Sequence, residues 1–170
     1  TEVEITEDEA VMKAGRMIVR VDLKDFKITY EADGKVLTNI GFRNLGYMQY
    51  DRATLTKFPE PNYMAAQYQP YMVTELSLDP GECVYGLGER FTAFVKNGQV
   101  VDVWNEDGGT ASQISYKNIP FYVTSKHYGV FVDHSDNVSF EVASEKVENV
   151  GFSVKGEEIR YHVIYGDDIK

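Results

Sequence analysis

Strict alternation of apolar and polar residues, broken at short intervals by turn signals, constrains this chain more than any other feature. Met17, Val19, Val21 and Leu23 alternate with Ile18, Arg20, Asp22 and Lys24. Phe26, Ile28 and Tyr30 alternate with Lys27, Thr29 and Glu31. The pattern returns at Val138, Phe140 and Val142, at Val150, Phe152 and Val154, and at Ile159, Tyr161, Val163 and Tyr165. A period of two sends every second side chain to one face of a strand, so each run buries one face and wets the other. Asp33-Gly34 closes a hairpin between the runs 26–31 and 36–40. Asn97-Gly98 sits between 93–95 and 100–104, Asp79-Pro80-Gly81 between 72–78 and 84–87, and Gly156 between the last two runs. Many short strands at this spacing predict an all-β fold, an antiparallel sandwich or barrel.

Two stretches fit that pattern less well. Thr6-Glu7-Asp8-Glu9 has the form of a helix capping box and Gly15 that of a C-cap. Only Ala10 to Ala14 lie between them, which is too short for a helix, so a short strand or single turn is expected. The stretch 41–69 has no clear period and reads as a long loop carrying several aromatic side chains. Long loops in compact domains usually serve function or contact something else.

With 170 residues, a single domain is expected. A chain of this size buries about 70% of its unfolded surface, and 43% hydrophobic content can fill that core. The net charge of −10 argues against nucleic acid and anionic membrane as partners, since both need clustered Lys and Arg. Cys83 is the lone cysteine, so neither an internal disulfide nor a thiolate metal site is available. A cytoplasmic or otherwise reducing compartment is expected from that usage. No segment approaches the ~18 apolar residues of a membrane span.

Chemistry concentrates between Val84 and Val123. Gly86-Leu87-Gly88 lacks a third glycine at dinucleotide spacing and the Gly-Lys-Ser/Thr of a phosphate loop. These glycines are expected to bend a strand or admit another backbone. Glu89-Arg90 follows directly, and a buried charge held by partners across a domain boundary is the plain reading. His127, His134 and His162 have no metal spacing; His134 beside Asp133 and Asp136 fits a strand-end histidine near turn carboxylates. No metal and no cofactor are expected, and no nucleophile elbow is present. Trp104 taken alone suits a core better than a ligand platform. Its neighbours Asn105, Glu106, Asp107, Gly108 and Gly109 cannot belong to a core. An indole face stacks on a sugar ring while Asn and Asp bond its hydroxyls, and loops on a β scaffold are where such groups sit. Spacing leaves the loop evenly balanced between a binding and a structural role. The chain is then expected to re-enter a strand over 116–122.

The runs VYGLGERF, VWNEDGG, YKNIPFYVT and YGVFVDH, with VSFEVASEKVENVGFSV and IRYHVIYG, resemble the N-terminal β-sandwich of glycoside hydrolase family 31, and within it the α-xylosidases. The similarity is specific over about 71–166 and compatible over 13–69. It implies a galactose-mutarotase-like supersandwich over residues 1–166, without the opening strands of the family domain. Residues 167–170 would begin a linker to an absent (β/α)8 barrel that carries both catalytic aspartates, about 5 Å apart in a retaining mechanism. The chain would thus be a non-catalytic fragment of a larger multidomain enzyme. Carried over by position, Asp107 would touch a substrate hydroxyl, and Asn105, Trp104 and Glu106 would shape the loop or the aglycone subsite. Implied partners are an α-xyloside or α-glucoside and the chain's own barrel. The barrel-docking face would be exposed and aromatic, so a homo-oligomer could form through it. The competing reading is a free-standing carbohydrate-binding sandwich. An aldose epimerase would share only the fold, and the histidines and carboxylates carry no signature of its acid–base pair.

Overall fold

The computed structural model describes residues 1–51, 68–105 and 115–169. Among these the regular structure is fourteen strands and one 3-10 turn, η1 (Phe42–Asn44). The strands β1 (Glu2–Ile5), β2 (Glu9–Ala14), β3 (Met17–Asp22), β4 (Lys27–Ala32) and β5 (Lys35–Gly41) form a five-stranded antiparallel meander in chain order. A second five-stranded sheet runs β6 (Leu45–Asp51), β7 (Tyr68–Ser77), β13 (Asn149–Lys155), β12 (Val138–Val142), β9 (Gln99–Val103). A four-stranded sheet runs β14 (Tyr161–Tyr165), β11 (Tyr128–Val132), β10 (Phe121–Thr124), β8 (Val84–Gly86). Every paired strand is antiparallel, as the alternation predicts.

The register explains the core. Val138, Phe140 and Val142 of β12 stand opposite Val154, Phe152 and Val150 of β13. All six are essentially inaccessible to water. Tyr122 of β10 meets Phe140 edge-on at 6.2 Å, and Tyr161 of β14 meets Phe152 edge-on at 5.5 Å, so the four-stranded sheet closes over these rows. Edge-to-face pairs stabilise by about 1 kcal/mol beyond area burial. The meander joins the same core through Ala32, Leu37 and Ile40. The Tyr30 and Tyr161 hydroxyls hydrogen-bond at 2.8 Å across the boundary. Ser77 of β7 also accepts from Asn39 at 2.7 Å.

Asp33 and Gly34 both take positive φ, 50° and 73°, and close the expected β4–β5 hairpin. The capping-box residues start no helix, and the stretch after them is the short strand β2, as expected. Thr6 Oγ1 instead accepts from the Glu9 amide at 3.1 Å and closes the hairpin of β1 and β2, so the same side-chain-to-backbone bond serves a turn. The run 45–51 is strand rather than loop because it pairs with β7 from Leu45↔Thr74 to Asp51↔Tyr68; residues 52–67 lie outside the described part. The segments 93–95 and 116–120 are not strand. Asn97 explains the first: its carboxamide accepts from the Val84 amide and donates to the Glu82 carbonyl, tying that turn to β8 instead of to a hairpin partner.

Candidate functional site

The site begins where β8 ends. Gly86, Leu87 and Gly88 all have positive φ, at 103°, 65° and 87°. Leu87 tolerates this because its side chain is fully buried in the core. The glycines are required by contact. A Cβ at Gly88 would lie 2.2 Å from the Lys117 carbonyl oxygen, and one at Gly86 would lie 2.8 Å from that of Phe121. The expected close approach of a second backbone is therefore the segment 117–121. It accepts hydrogen bonds from the Leu87 and Glu89 amides, both at 2.9 Å.

That approach places Arg90 over the two feet of the loop. Its Nε donates to the Leu87 carbonyl at 3.1 Å, and its guanidinium also reaches the Asp102 carbonyl at 2.5 Å and the Asn118 side-chain oxygen. Burial pulls the guanidinium's pKa down, with Asp102 acting against it. The three partners named here belong to the sandwich itself. Glu89 turns outward and pairs with Lys117 at 2.8 Å. Asn118 then carries the geometry onward. Its Nδ2 donates to the Trp104 carbonyl at 2.6 Å and the Ser115 carbonyl at 2.8 Å. Its backbone amide donates to Asn105 Oδ1 at 2.9 Å. Ser115 Oγ donates to the Glu89 carbonyl at 2.5 Å, and Asn105 and Ser115 form a parallel bridge.

Of the four residues singled out from sequence, the structure describes two. Trp104 is 51% exposed, which removes it from the core. Asn105 is exposed, but its side-chain oxygen is engaged by Asn118, so it holds the loop's foot in place. Glu106 and Asp107, with Gly108 and Gly109, lie outside the described residues. Of the pinning residues, Arg90 was noted in the sequence only as a buried charge, and Asn118 was not singled out. The available signal was an asparagine ahead of Ile119-Pro120, since a carboxamide both donates and accepts where the backbone cannot close a ladder.

Two clefts flank this knot. One of about 270 Å³ is lined by Trp104, Asn105, Asn118, His134 and Asp136 among others. Its indole, amides and carboxylate are groups that bind polyhydroxylated ligands. The other, about 470 Å³, lies between 86–96 and 115–117. Among the described residues no three His, Cys, Asp or Glu side chains are placed to hold a metal.

Residues 1–141 match the family model of the glycosyl hydrolase 31 N-terminal galactose mutarotase-like domain. The chain is 45% identical over 166 residues to alpha-xylosidase XylQ of Lactiplantibacillus pentosus, covering 96% of this chain and 20% of that protein. It is 49% identical over 149 residues to an alpha-xylosidase of Emericella nidulans, covering 85% of this chain and 19% of that one. It thus spans about a fifth of the length of these relatives. Among solved structures, the Flavobacterium johnsoniae GH31 dextranase FjDex31A, complexed with glucose, superposes over 98% of this chain and 19% of its own. Its TM-score is 0.76 at 22% identity, a likeness of fold.

Proposed function

Because the chain belongs to the family of N-terminal galactose mutarotase-like domains of glycosyl hydrolase 31, we propose that it is the non-catalytic β-sandwich of a retaining α-glycosidase of the α-xylosidase type. The identities of 45% and 49% to two alpha-xylosidases support that type. α-Glucosides are the nearest alternative substrates. The sandwich would occupy 1–166, with 167–170 leading toward a (β/α)8 barrel that supplies both catalytic carboxylates.

The observation that carries this reading is the pinned loop. Arg90 and Asn118 clamp both feet of the segment that begins Trp104-Asn105, and Trp104 stands half exposed beside a sugar-sized cleft. A loop held at both feet can meet a substrate bound elsewhere in the enzyme without the sandwich performing chemistry. Its Asp107 would bond a substrate hydroxyl, and Glu106 would shape the aglycone side. Holding that hydroxyl more tightly in the transition state than in the ground state lowers the barrier.

The test uses the full-length enzyme with p-nitrophenyl α-xyloside and α-glucoside in parallel. Faster release from the xyloside is expected, and faster release from the glucoside would move the specificity within the family. Asp107→Ala should cost about 1–3 kcal/mol in kcat/KM, the value of a lost charged hydrogen bond. An unchanged kcat/KM would remove Asp107 from the site.

A further inference from the structure

Three polar atoms of the interior belong to one neighbourhood and bond to nothing there. Tyr122 of β10 and Tyr128 of β11 are 0% and 1% exposed, and Glu82, just ahead of β8, is 5% exposed. The two hydroxyls and Glu82 Oε1 are cut off from bulk solvent and make no hydrogen bond. Their closeness shows in the phenols. Burial, and after it the Glu82 carboxyl, pushes the Tyr128 phenol's pKa up, and the Thr38 and Thr124 hydroxyls act on the same group. Burial raises Tyr122 as well, and Tyr128 and Glu82 are the ionisable groups that add most to it. Neighbouring groups are already engaged. Glu82 Oε2 accepts from the Asp79 amide at 2.9 Å, so swinging this carboxyl toward a phenol would undo its own turn. The Tyr30 and Tyr161 hydroxyls are paired with each other at 2.8 Å. A buried hydroxyl or carboxylate oxygen left unbonded is costly, and native interiors seldom keep one.

We propose that this spot binds one buried water molecule, which accepts from the Tyr122 and Tyr128 hydroxyls and donates to Glu82 Oε1. The donor and acceptor count fits water. The phenols bring a proton each and the carboxylate brings only lone pairs, while water donates and accepts in equal number. Its other proton has acceptors in Thr124 Oγ1, which takes the Lys126 amide at 3.1 Å, and in Thr38 Oγ1, whose own proton goes to the Ser77 carbonyl at 2.8 Å. Buried waters typically make about three such bonds. An inorganic anion would be repelled by the carboxylate, and a metal cation would leave both phenol protons without an acceptor. Bridged in this way, the turn that leads into β8 is fastened to β10 and β11 from inside, directly ahead of Gly86-Leu87-Gly88. The site lies in the sandwich interior, whatever catalytic part the polypeptide carries.

The experiment is diffraction from crystals of the full-length enzyme at a resolution that shows ordered water, with thermal unfolding of the same enzyme and its variants. One density peak is expected at hydrogen-bond distance, about 2.6–3.2 Å, from Glu82 Oε1 and from both phenol oxygens. In Tyr122→Phe and Tyr128→Phe crystals that peak should weaken or vanish. Each of these variants should melt lower by about 2–4 °C, and the double variant should lose less than the sum, because the two hydroxyls share one water. A direct bond between Tyr128 and Glu82 with no peak beside it overturns the proposal. So does a peak whose oxygen neighbours all stand closer than hydrogen-bond distance, which means a cation. Unchanged or raised melting in both single variants overturns it too, since removing a hydroxyl that bonds nothing is no loss. If neither variant folds, the wild-type density decides by itself.

Discussion

At the scale of single residues, the site depends on one missing Cβ and one carboxamide. Gly88→Ala puts a methyl group within 2.2 Å of a backbone oxygen at φ 87°, where no flexible side chain can yield. It should destabilise the sandwich by about 2–4 kcal/mol, the sum of left-handed strain and overpacking, and thermal unfolding reads the loss directly. Asn118→Ala has a different signature. It removes the bonds to the Trp104 and Ser115 carbonyls and leaves the Arg90 guanidinium one acceptor short. A stability loss of about 1–3 kcal/mol is expected, together with a drop in turnover by the full-length enzyme larger than that loss explains. Normal kcat/KM in a folded Asn118→Ala enzyme would mean that the loop's footing does not matter to the substrate. The glycine requirement was legible in the motif Gly86-Leu87-Gly88, because little else excuses paired glycines on a strand. The role of Asn118 was not, because the Trp104 carbonyl and the Asn105 side-chain oxygen that it engages are fourteen and thirteen positions away.

At the scale of elements, Glu75 on β7 ties four pieces of chain together. Lys146 donates to both its oxygens at 2.8 Å, and Asn44 of η1 and Asn149 of β13 donate to one of them at 2.9 Å. Burial pushes this carboxyl's pKa up, but the bonds from Lys146, Asn44 and Asn149 together outweigh it and hold the value below the ordinary 4.5. A carboxylate with a depressed folded-state pKa stabilises the fold fully above its unfolded-state value. That contribution is lost as pH falls through the lower, folded-state value. The melting temperature should therefore fall below about pH 4.5, and Glu75→Gln should flatten that acid limb. An unaltered limb would assign acid lability to other groups. At this scale the sequence was informative where a strand buries one face. Val138–Val142 could be read residue by residue. It was uninformative at Leu45–Asp51, whose side chains carry no period and which is a strand because β7 offers it a ladder.

At the scale of the whole molecule, three sheets share one core, and the aromatic cleft is left open at the end that also carries the pinned loop. Phe91, Phe94 and Tyr116 are exposed and line that cleft. Large rings clustered in water favour contact with one another, so the 170-residue chain should associate weakly and reversibly as its concentration rises. Sedimentation velocity over a wide concentration range checks this, and a strictly monomeric boundary throughout would show that the rings are tolerated in water. The Lys117–Glu89 pair on the cleft's rim is exposed on both sides and should contribute little to that behaviour.

The sequence by itself determined the all-β class, most strand positions, the hairpin at Asp33-Gly34 and the family. Each of these is written in local alternation, turn chemistry or contiguous motif. Only the tertiary structure decided that Trp104 is exposed, that Arg90 and Asn118 clamp the loop, and that Lys96 is buried beneath open aromatic rings. Those facts depend on which backbone passes beside which. A chain reaches such contacts between residues far apart in sequence only by folding.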